Sequence, residues 1–240
     1  MGEIQTHRGP DDVGYYVDQE ARIHFGLRRL SIIDLAGGHQ PISNEDQTVW
    51  AACNGEIYNY LELRKVLIGQ GHSFKTNSDV EVLVHLYEEY GDDFLSRING
   101  MFGVVLYDQN RQRLLLARDR IGIKPLYYAW DGRRLVFASE IKSILKCPWV
   151  SREPDWQGIS SFMHLFYIPA PRTGFAGIRK LASGMIAVFE NDGLQTNRYW
   201  RLNDEMMVIN GPSGVNHPSV IITRLSTTGK MARGISCLIR

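Results

Sequence analysis

The sequence predicts an α+β fold in which β-sheets pack against a small number of helices. Segments rich in strand-forming residues occupy residues 14–54 and, in a second series, residues 101–138, and two helical patterns lie between them. Strands and helices that are segregated along the chain in this way favour layered α+β architectures. With 240 residues, 44% of them hydrophobic, the chain is long enough for one sizeable core.

The first series contains three predicted strands separated by turns. The segments VGYYV (13–17) and RIHFGLRRLSII (22–33) each predict a strand. A third strand, TVWAAC (48–53), follows a loop rich in glycine, asparagine and proline. The polar residues Asn54-Gly55-Glu56 therefore come at the end of a strand.

Two helices are expected next. The first runs from Asn59 to about Ile68, and Asn59 and Glu62 have the spacing of a capping box. For the second helix, residues 78–81 (Ser-Asp-Val-Glu) resemble an N-terminal cap, and apolar residues recur at helical spacing up to position 90. This pattern places Asp79 in a first helical turn.

The remaining chain predicts a meander over residues 101–138, short helices near 140–145 and 160–165, and a hairpin around Asn191-Asp192-Gly193. From residue 201 onward the apolar residues keep neither a helical nor an alternating period. We therefore expect residues 201–240 to be an unpacked, disordered extension.

Composition excludes several function classes. The net charge is only +1 and no basic run occurs, so nucleic acid is not an expected partner. No apolar run is long enough to span a bilayer, so no membrane association is expected. Three widely spaced cysteines and scattered histidines encode neither a disulfide framework nor a metal site, and no nucleotide-binding motif is present. A cytoplasmic protein is expected.

Polar residues at the ends of predicted elements are the candidate site. Taken singly, each has a structural explanation: Asn-Gly favours turns, an acid in a first helical turn complements the helix dipole, and Arg29 could be solvated. Taken together they suit an amino acid, because Arg29 can grip a carboxylate while Glu56 and Asp79 accept an ammonium group. Asn54 and the backbone N–H of Gly55 could stabilise an oxyanion.

Five segments, in this order, resemble the class II glutamine amidotransferase domain of asparagine synthetases. They are HRGPDD (7–12), RLSIID (29–34), NGEIYN (54–59), SDVE (78–81) and RDRIGIKPLYY (118–128). The resemblance covers about residues 7–200. It implies an N-terminal-nucleophile (Ntn) hydrolase fold, a four-layer αββα sandwich, which hydrolyses L-glutamine to glutamate and ammonia for a separate ATP- and Mg-using synthetase domain.

The resemblance also implies residue roles. Arg29 would bind the glutamine α-carboxylate, Ile32 and Ile33 would line the pocket, Glu56 and Asp79 would bind the α-amine, and Asn54 with Gly55 would form the oxyanion hole. Cys53 precedes this hole, but alternation along a strand turns its side chain to the other face. It is predicted not to take part.

The chain departs from the family pattern at both ends. The family's nucleophile is a cysteine whose own α-amine acts as base, and here Met1 precedes Gly2. The nucleophile, the first strand and the first helix are therefore expected to be absent from the domain at residues 1–200, and residues 201–240 are expected to be a tail foreign to the family, disordered or out of frame. No cofactor is expected, because ATP and Mg belong to the synthetase domain.

Three functional hypotheses follow from this pattern. The leading one is an asparagine synthetase-like amidotransferase domain that is inactive as written. The alternatives are a non-catalytic glutamine-binding or regulatory module, and a pseudogene remnant. L-glutamine is the expected ligand, and a homodimer or association with an intact synthetase subunit is the expected assembly.

Overall fold

A computed structural model describes residues 1–29, 38–202 and 234–239. The first part contains a 3₁₀ helix (Glu3–Arg8), β1 (Asp12–Asp18), β2 (Ile23–Arg29), β3 (Ile42–Ser43), β4 (Val49–Ile57), α1 (Tyr60–Gly69), α2 (Val82–Tyr90), a second 3₁₀ helix (Gly91–Asp93) and α3 (Phe94–Arg97). Next come β5 (Gly100–Asp108), β6 (Arg113–Arg118), β7 (Tyr127–Trp130), β8 (Leu135–Ala138), α4 (Ile141–Ile144) and α5 (Trp156–Leu165). The last elements are β9 (Arg179–Lys180), β10 (Met185–Glu190), β11 (Gly193–Arg198) and β12 (Gly234–Ile239).

The described strands form two six-stranded sheets. Sheet A has the order β1-β2-β12-β8-β7-β9, and sheet B has the order β11-β10-β6-β5-β4-β3. Neighbouring strands pair antiparallel throughout both sheets. The predicted α+β class is confirmed. None of the described helices is both long and apolar enough to cross a bilayer.

Apolar side chains pack in three buried clusters. Leu27 of β2 lies in the same cluster as Ala52 of β4, so the inner faces of the two sheets pack on each other. Val104, on the other face of sheet B, packs in a cluster with residues of α1 and α2. Ile144 of α4 belongs to a third cluster, on the outer face of sheet A.

The expectation of an unpacked extension is wrong for β12. Its backbone lies between β2 and β8, where Ser236 pairs with Gly26 on one side and Ala138 on the other. The physical reason is that the facing edges of β2 and β8 both carry backbone donors and acceptors, which a strand inserted between them satisfies. The other residues of the predicted extension, 203–233 and 240, lie outside the described residues.

The expected capping box of α1 is wrong, although the helix is present. Asn59 holds the N-cap position without a side-chain capping bond. Its Nδ2 donates to Arg97 O at 2.9 Å and its Oδ1 accepts from Asn99 N at 3.0 Å. The side chain therefore anchors the segment that leads into β5, and this long-range use outweighs the local cap.

Helix α2 begins later than the sequence predicts. Its first residue is Val82, so Asp79 lies in the turn before the helix rather than in the first helical turn. The Glu81 carboxylate, expected to complete a cap with Ser78, accepts instead from Lys75 N at 2.6 Å and Thr76 N at 2.8 Å. The carboxylate thus fixes the loop that precedes the turn.

Candidate functional site

Arg29 lies at the end of a row of side chains on the inner face of sheet A. Side chains alternate between the two faces of a strand, and Ile23, Phe25 and Leu27 all lie in the cluster between the sheets. Arg29, two residues beyond Leu27, continues this row at the end of β2 and is only 3% exposed. A buried guanidinium at this place requires an acceptor or anion near it.

Strand β4 carries Asn54 and Glu56 on the inner face of sheet B, which packs against sheet A. Ala52 lies in the cluster between the sheets, whereas Cys53 lies in the cluster on the opposite face of sheet B. Asn54 and Glu56 therefore continue the row of Ala52. Asn54 is fully buried and donates from Nδ2 to Ser139 Oγ at 3.1 Å. This hydrogen bond joins the two sheets.

Strand pairing places Arg29 and Ser139 at the same end of sheet A. Ser236 of β12 pairs with both Gly26 and Ala138. Because β2 and β8 are each antiparallel to β12, they run parallel to one another. Arg29 and Ser139 both follow the paired row in sequence, so they lie at the same end of sheet A. Asn54 of β4, which is bonded to Ser139, lies at that end too.

Gly55 occupies a position that admits only glycine. Its φ of +149° lies in a region that side-chain-bearing residues rarely adopt, and a Cβ atom would approach Met101 O to 1.9 Å. The backbone of β4 is therefore drawn close to β5 immediately after Asn54. An amide N–H beside a side-chain amide is a donor arrangement suited to an oxyanion.

Asp79 is tied to the end of β4. Its Oδ2 accepts a hydrogen bond from Ile57 N at 2.9 Å, and the residue is buried. The turn before α2 thereby holds a second carboxylate next to Glu56. The structure brings together Asn54, Gly55, Glu56 and Asp79. It places Arg29 at the corresponding end of the facing sheet, sheet A.

The charge around this group is negative on the β4 side. Burial and then the charges of Glu56 and Asp119 raise the pKa of Tyr58 above its usual range. Burial disfavours any charged group there, but the negative charges of Glu56 and Asp119 favour a cation such as an ammonium group.

Asp119 and Ser139 are supporting residues that the sequence reasoning did not identify. The fully buried Asp119 carboxylate accepts from the backbone N–H groups of Gly122, Ile123 and Lys124 at 2.7–2.9 Å, and from Phe102 N at 3.3 Å. Phe102 pairs with Gly55, so this turn supports the strand that carries the site. An Asp three residues before a glycine is a turn signal, but it does not reveal the long-range partner.

The thiols of Cys53 and Cys147 lie away from the group. Cys53 is buried on the opposite face of β4, as alternation predicted, and its N–H donates to Gln40 Oε1 at 2.8 Å. Cys147 is buried in the outer cluster of sheet A, with its Sγ 3.5 Å from Met1 Sδ. Neither thiol adjoins Asn54.

Ile32 and Ile33, predicted to line the pocket, lie outside the described residues. The HRGPDD segment, by contrast, packs on the end of β2. A Cβ atom at Gly9 would meet Arg28 C at 2.3 Å and Arg29 N at 2.5 Å, and Asp11 N donates to Arg29 O at 3.1 Å. This segment fixes the backbone of Arg29.

A separate cavity lies at the other end of β8. It has a volume of about 680 Å³ and is lined by Arg22, Asp131, Arg133, Arg134, Pro148 and Trp149. Since Arg134 precedes β8 and Ser139 follows it, the cavity does not include the group described above.

Residues 1–200 match the family model of the glutamine amidotransferase domain. The chain is 40% identical over 204 residues to asparagine synthetase (glutamine-hydrolyzing) 1 of Bacillus subtilis (strain 168), covering 85% of this chain and 32% of that protein. It is 41% identical over 215 residues to synthetase 2 of the same organism, covering 86% of this chain and 28% of that protein. The chain thus spans about a third of the length of these relatives.

A solved structure shares the fold. The structure of the allosteric regulatory enzyme of purine biosynthesis matches with a TM-score of 0.50 and 23% identity, covering 73% of this chain and 34% of that chain. With the family match extending over residues 1–200, we conclude that the chain belongs to the glutamine amidotransferase domain family, in the form found in glutamine-hydrolysing asparagine synthetases.

Proposed function

We propose that the chain binds L-glutamine in the space bounded by Arg29, Asn54, Gly55, Glu56 and Asp79. The observation that carries this proposal is the continuation of two facing rows, Leu27–Arg29 and Ala52–Glu56, to the same end of the stacked sheets. One row ends in the guanidinium of Arg29 and the other in the carboxylate of Glu56, with the Asp79 carboxylate held at the same end of β4. Charges of opposite sign on facing walls suit a zwitterion.

Each group of glutamine has a complementary group in this proposal. The α-carboxylate lies against Arg29 in a two-pronged contact, and the α-ammonium lies against Glu56 and Asp79. The side-chain carbonyl faces Asn54 and the N–H of Gly55. Ile32 and Ile33 would complete the wall, as the family resemblance implies.

Asn54 can present a donor to that carbonyl after a rotation of its amide. In the described arrangement Nδ2 donates to Ser139 Oγ, and the buried Oδ1 has no hydrogen-bond partner. Exchanging the two atoms keeps the bond, because the Ser139 hydroxyl then donates to Oδ1. Nδ2 would take the position without a partner, which is where a ligand oxygen is needed.

We further infer the four-layer αββα arrangement of Ntn hydrolases. The three apolar clusters support it, since helices α1 and α2 cover sheet B, the two sheets pack together, and α4 covers sheet A.

Titration calorimetry with L-glutamine and two truncated analogues tests the binding proposal. L-Glutamine is expected to bind at one saturable site. 4-Carbamoylbutanoate, which lacks the α-amine, and 4-aminobutanamide, which lacks the α-carboxylate, are each expected to bind at least about 10-fold more weakly, since each loses a charge-assisted contact worth about 1.5–3 kcal/mol. Equal affinities for all three compounds would rule out zwitterion recognition.

We propose that the 240-residue chain binds glutamine without hydrolysing it. Hydrolysis in this family uses a cysteine thiol next to its own free α-amine. Cys53 and Cys147 are buried away from Asn54, and all three cysteines are internal residues without a free α-amine. Ammonia release is expected at the background rate and unchanged by Cys53→Ala. Ammonia release above background by the purified chain would overturn this proposal.

Association with the ATP-using part of an asparagine synthetase subunit is a second candidate function. Among the described residues, α5 and its C-terminal end present exposed apolar side chains at Trp156, Met163 and Phe166. Surfaces of this kind mark interaction sites. About two-thirds of the length of each relative lies outside the part that matches this chain. Co-purification with such a subunit should fail for Met163→Glu but persist for Leu61→Glu, which alters an exposed leucine of α1.

ATP and Mg²⁺ would bind in that subunit, not in this chain. Cys53 and Cys147 are buried and form no disulfide, which suits the reducing cytoplasm.

A further inference from the structure

Two histidines and two glutamates converge where the turn after β3 and the segment after α1 meet helix α2. Glu45 follows β3, His72 follows α1, and His85 and Glu88 lie on successive turns of α2. One ligand atom from each residue lies within 4.8 Å of every other. We call these four residues the His₂Glu₂ cluster.

The separations within the cluster fit a small tetrahedral ion. His85 Nδ1 lies 3.3 Å from Glu45 Oε2 and 3.4 Å from Glu88 Oε2. His72 Nδ1 lies 3.5 Å from Glu45 Oε1 and 3.8 Å from Glu88 Oε2. Four ligands at about 2.0–2.1 Å from a tetrahedral Zn²⁺ are about 3.3–3.4 Å from each other. The four ligand atoms lie within 4.8 Å of one another, so inward movements of up to about 0.7 Å per ligand would complete the coordination sphere.

His85 supplies an independent reason to expect a ligand. Its side chain is fully buried, and neither ring nitrogen makes a hydrogen bond among the described residues. The carboxylates around it stand at ion-pair distances without hydrogen-bond geometry. A buried neutral imidazole in this arrangement costs stability unless another group satisfies its ring nitrogens.

Further polar groups already orient the four ligands. Asn44 Nδ2 donates to Glu88 Oε1 at 2.7 Å, which leaves Glu88 Oε2 for the ion. His72 Nε2 lies 3.0 Å from Glu89 Oε1, so a carboxylate holds the far side of that ring. Ordered partners of this kind accompany metal-binding histidines and carboxylates.

We propose that the His₂Glu₂ cluster is a structural site for one divalent transition-metal ion of the Zn²⁺ class. Nitrogen and carboxylate ligands suit Zn²⁺, and four protein ligands leave no position for a reacting water. Two carboxylates balance the charge of the ion. The ion ties the turn after β3 and the segment after α1 to α2, the helix that begins just beyond Asp79.

A protonated His85 is the competing state. Burial lowers its pKa, but the carboxylates of Glu81, Glu88 and Glu45 together raise it to about 9. An imidazolium surrounded by carboxylates would need no metal ion, so the two states are separated by direct measurement of metal uptake.

Cobalt(II) titration of the chelator-treated full chain is the test, with visible absorption as the readout. We expect a tetrahedral cobalt band that saturates at one equivalent and is displaced by Zn²⁺. His72→Gln and Glu45→Gln alter positions that are not fully buried, so both variants are expected to fold. Thermal melting checks this expectation. Each variant is expected to weaken cobalt binding at least about 100-fold. His164→Gln, which alters an exposed histidine of α5, should leave the titration unchanged.

Two results would overturn the proposal. One is the absence of a saturable tetrahedral band in the wild-type chain, which would leave the imidazolium as the occupant. The other is an unchanged band in both His72→Gln and Glu45→Gln. Neither readout involves glutamine, so the outcome is independent of the proposed function.

Discussion

Arg29→Ala is expected to weaken L-glutamine binding about 100-fold, and at least about 30-fold. Arg29 continues the inner row of β2 and is nearly inaccessible to solvent, so no neighbouring cation can replace it at low cost. Loss of a desolvated, two-pronged charge contact costs about 2–5 kcal/mol, and about 2.7 kcal/mol corresponds to 100-fold. Arg29→Lys retains the charge but loses the planar fork, so an intermediate loss is expected.

The adjacent residue provides the control for this prediction. Arg28 lies on the opposite face of the same strand, and Arg28→Ala should leave the dissociation constant within about twofold. Calorimetry gives the affinities, and thermal melts establish that each variant is folded. A folded Arg29→Ala chain with wild-type affinity would remove Arg29 from the site.

Asp119→Ala is expected to lower the free energy of unfolding by about 3 kcal/mol. The substitution removes the acceptor of three close backbone N–H groups, at Gly122, Ile123 and Lys124, from a fully buried position. The Lys124 N–H is buried and the Gly122 and Ile123 N–H groups are partly buried. A buried donor left without an acceptor costs about 1–3 kcal/mol, and relief from burying the carboxylate offsets part of the total. The expected decrease in Tm is about 6–12 °C for a chain of this size.

Asp131→Ala is the matched control for stability. Its carboxylate also accepts from turn N–H groups, at Arg133 and Arg134, but this turn is exposed and water can replace the lost acceptor. A loss of at most about 1 kcal/mol is expected in calorimetric melts. Equal losses for the two variants would show that the Asp119 turn has no special structural importance.

The sequence predicted what depends on local pattern. Alternation in β4 was sufficient to place Cys53 and Asn54 on opposite faces. The strand was expected to end at Cys53, but β4 continues to Ile57, so Asn54, Gly55 and Glu56 lie within it, paired with β5. The sequence prediction failed where distant groups compete for a side chain. Asn59 bonds to Arg97 and Asn99 instead of capping its own helix.

Long-range pairings explain the other differences. The residues near Gly234–Ile239 do not indicate that this segment pairs with β2 and β8. Its hydrogen-bonding partners are strand edges that lie more than 90 residues away in the sequence. The His₂Glu₂ cluster was likewise hidden, since Glu45, His72 and His85 lie far apart along the chain and converge only when α2 packs beside the turn after β3.

Backbone amide NMR of the ¹⁵N-labelled chain during titration with L-glutamine tests directly whether the amino acid binds between β2 and β4. We expect saturable shifts concentrated at the Gly55 and Ile57 amides and at the Asn54 side-chain amide. The contradicting result is binding whose shifts cluster at the Arg22–Trp149 cavity, or no saturable shift at any amide of β2 and β4.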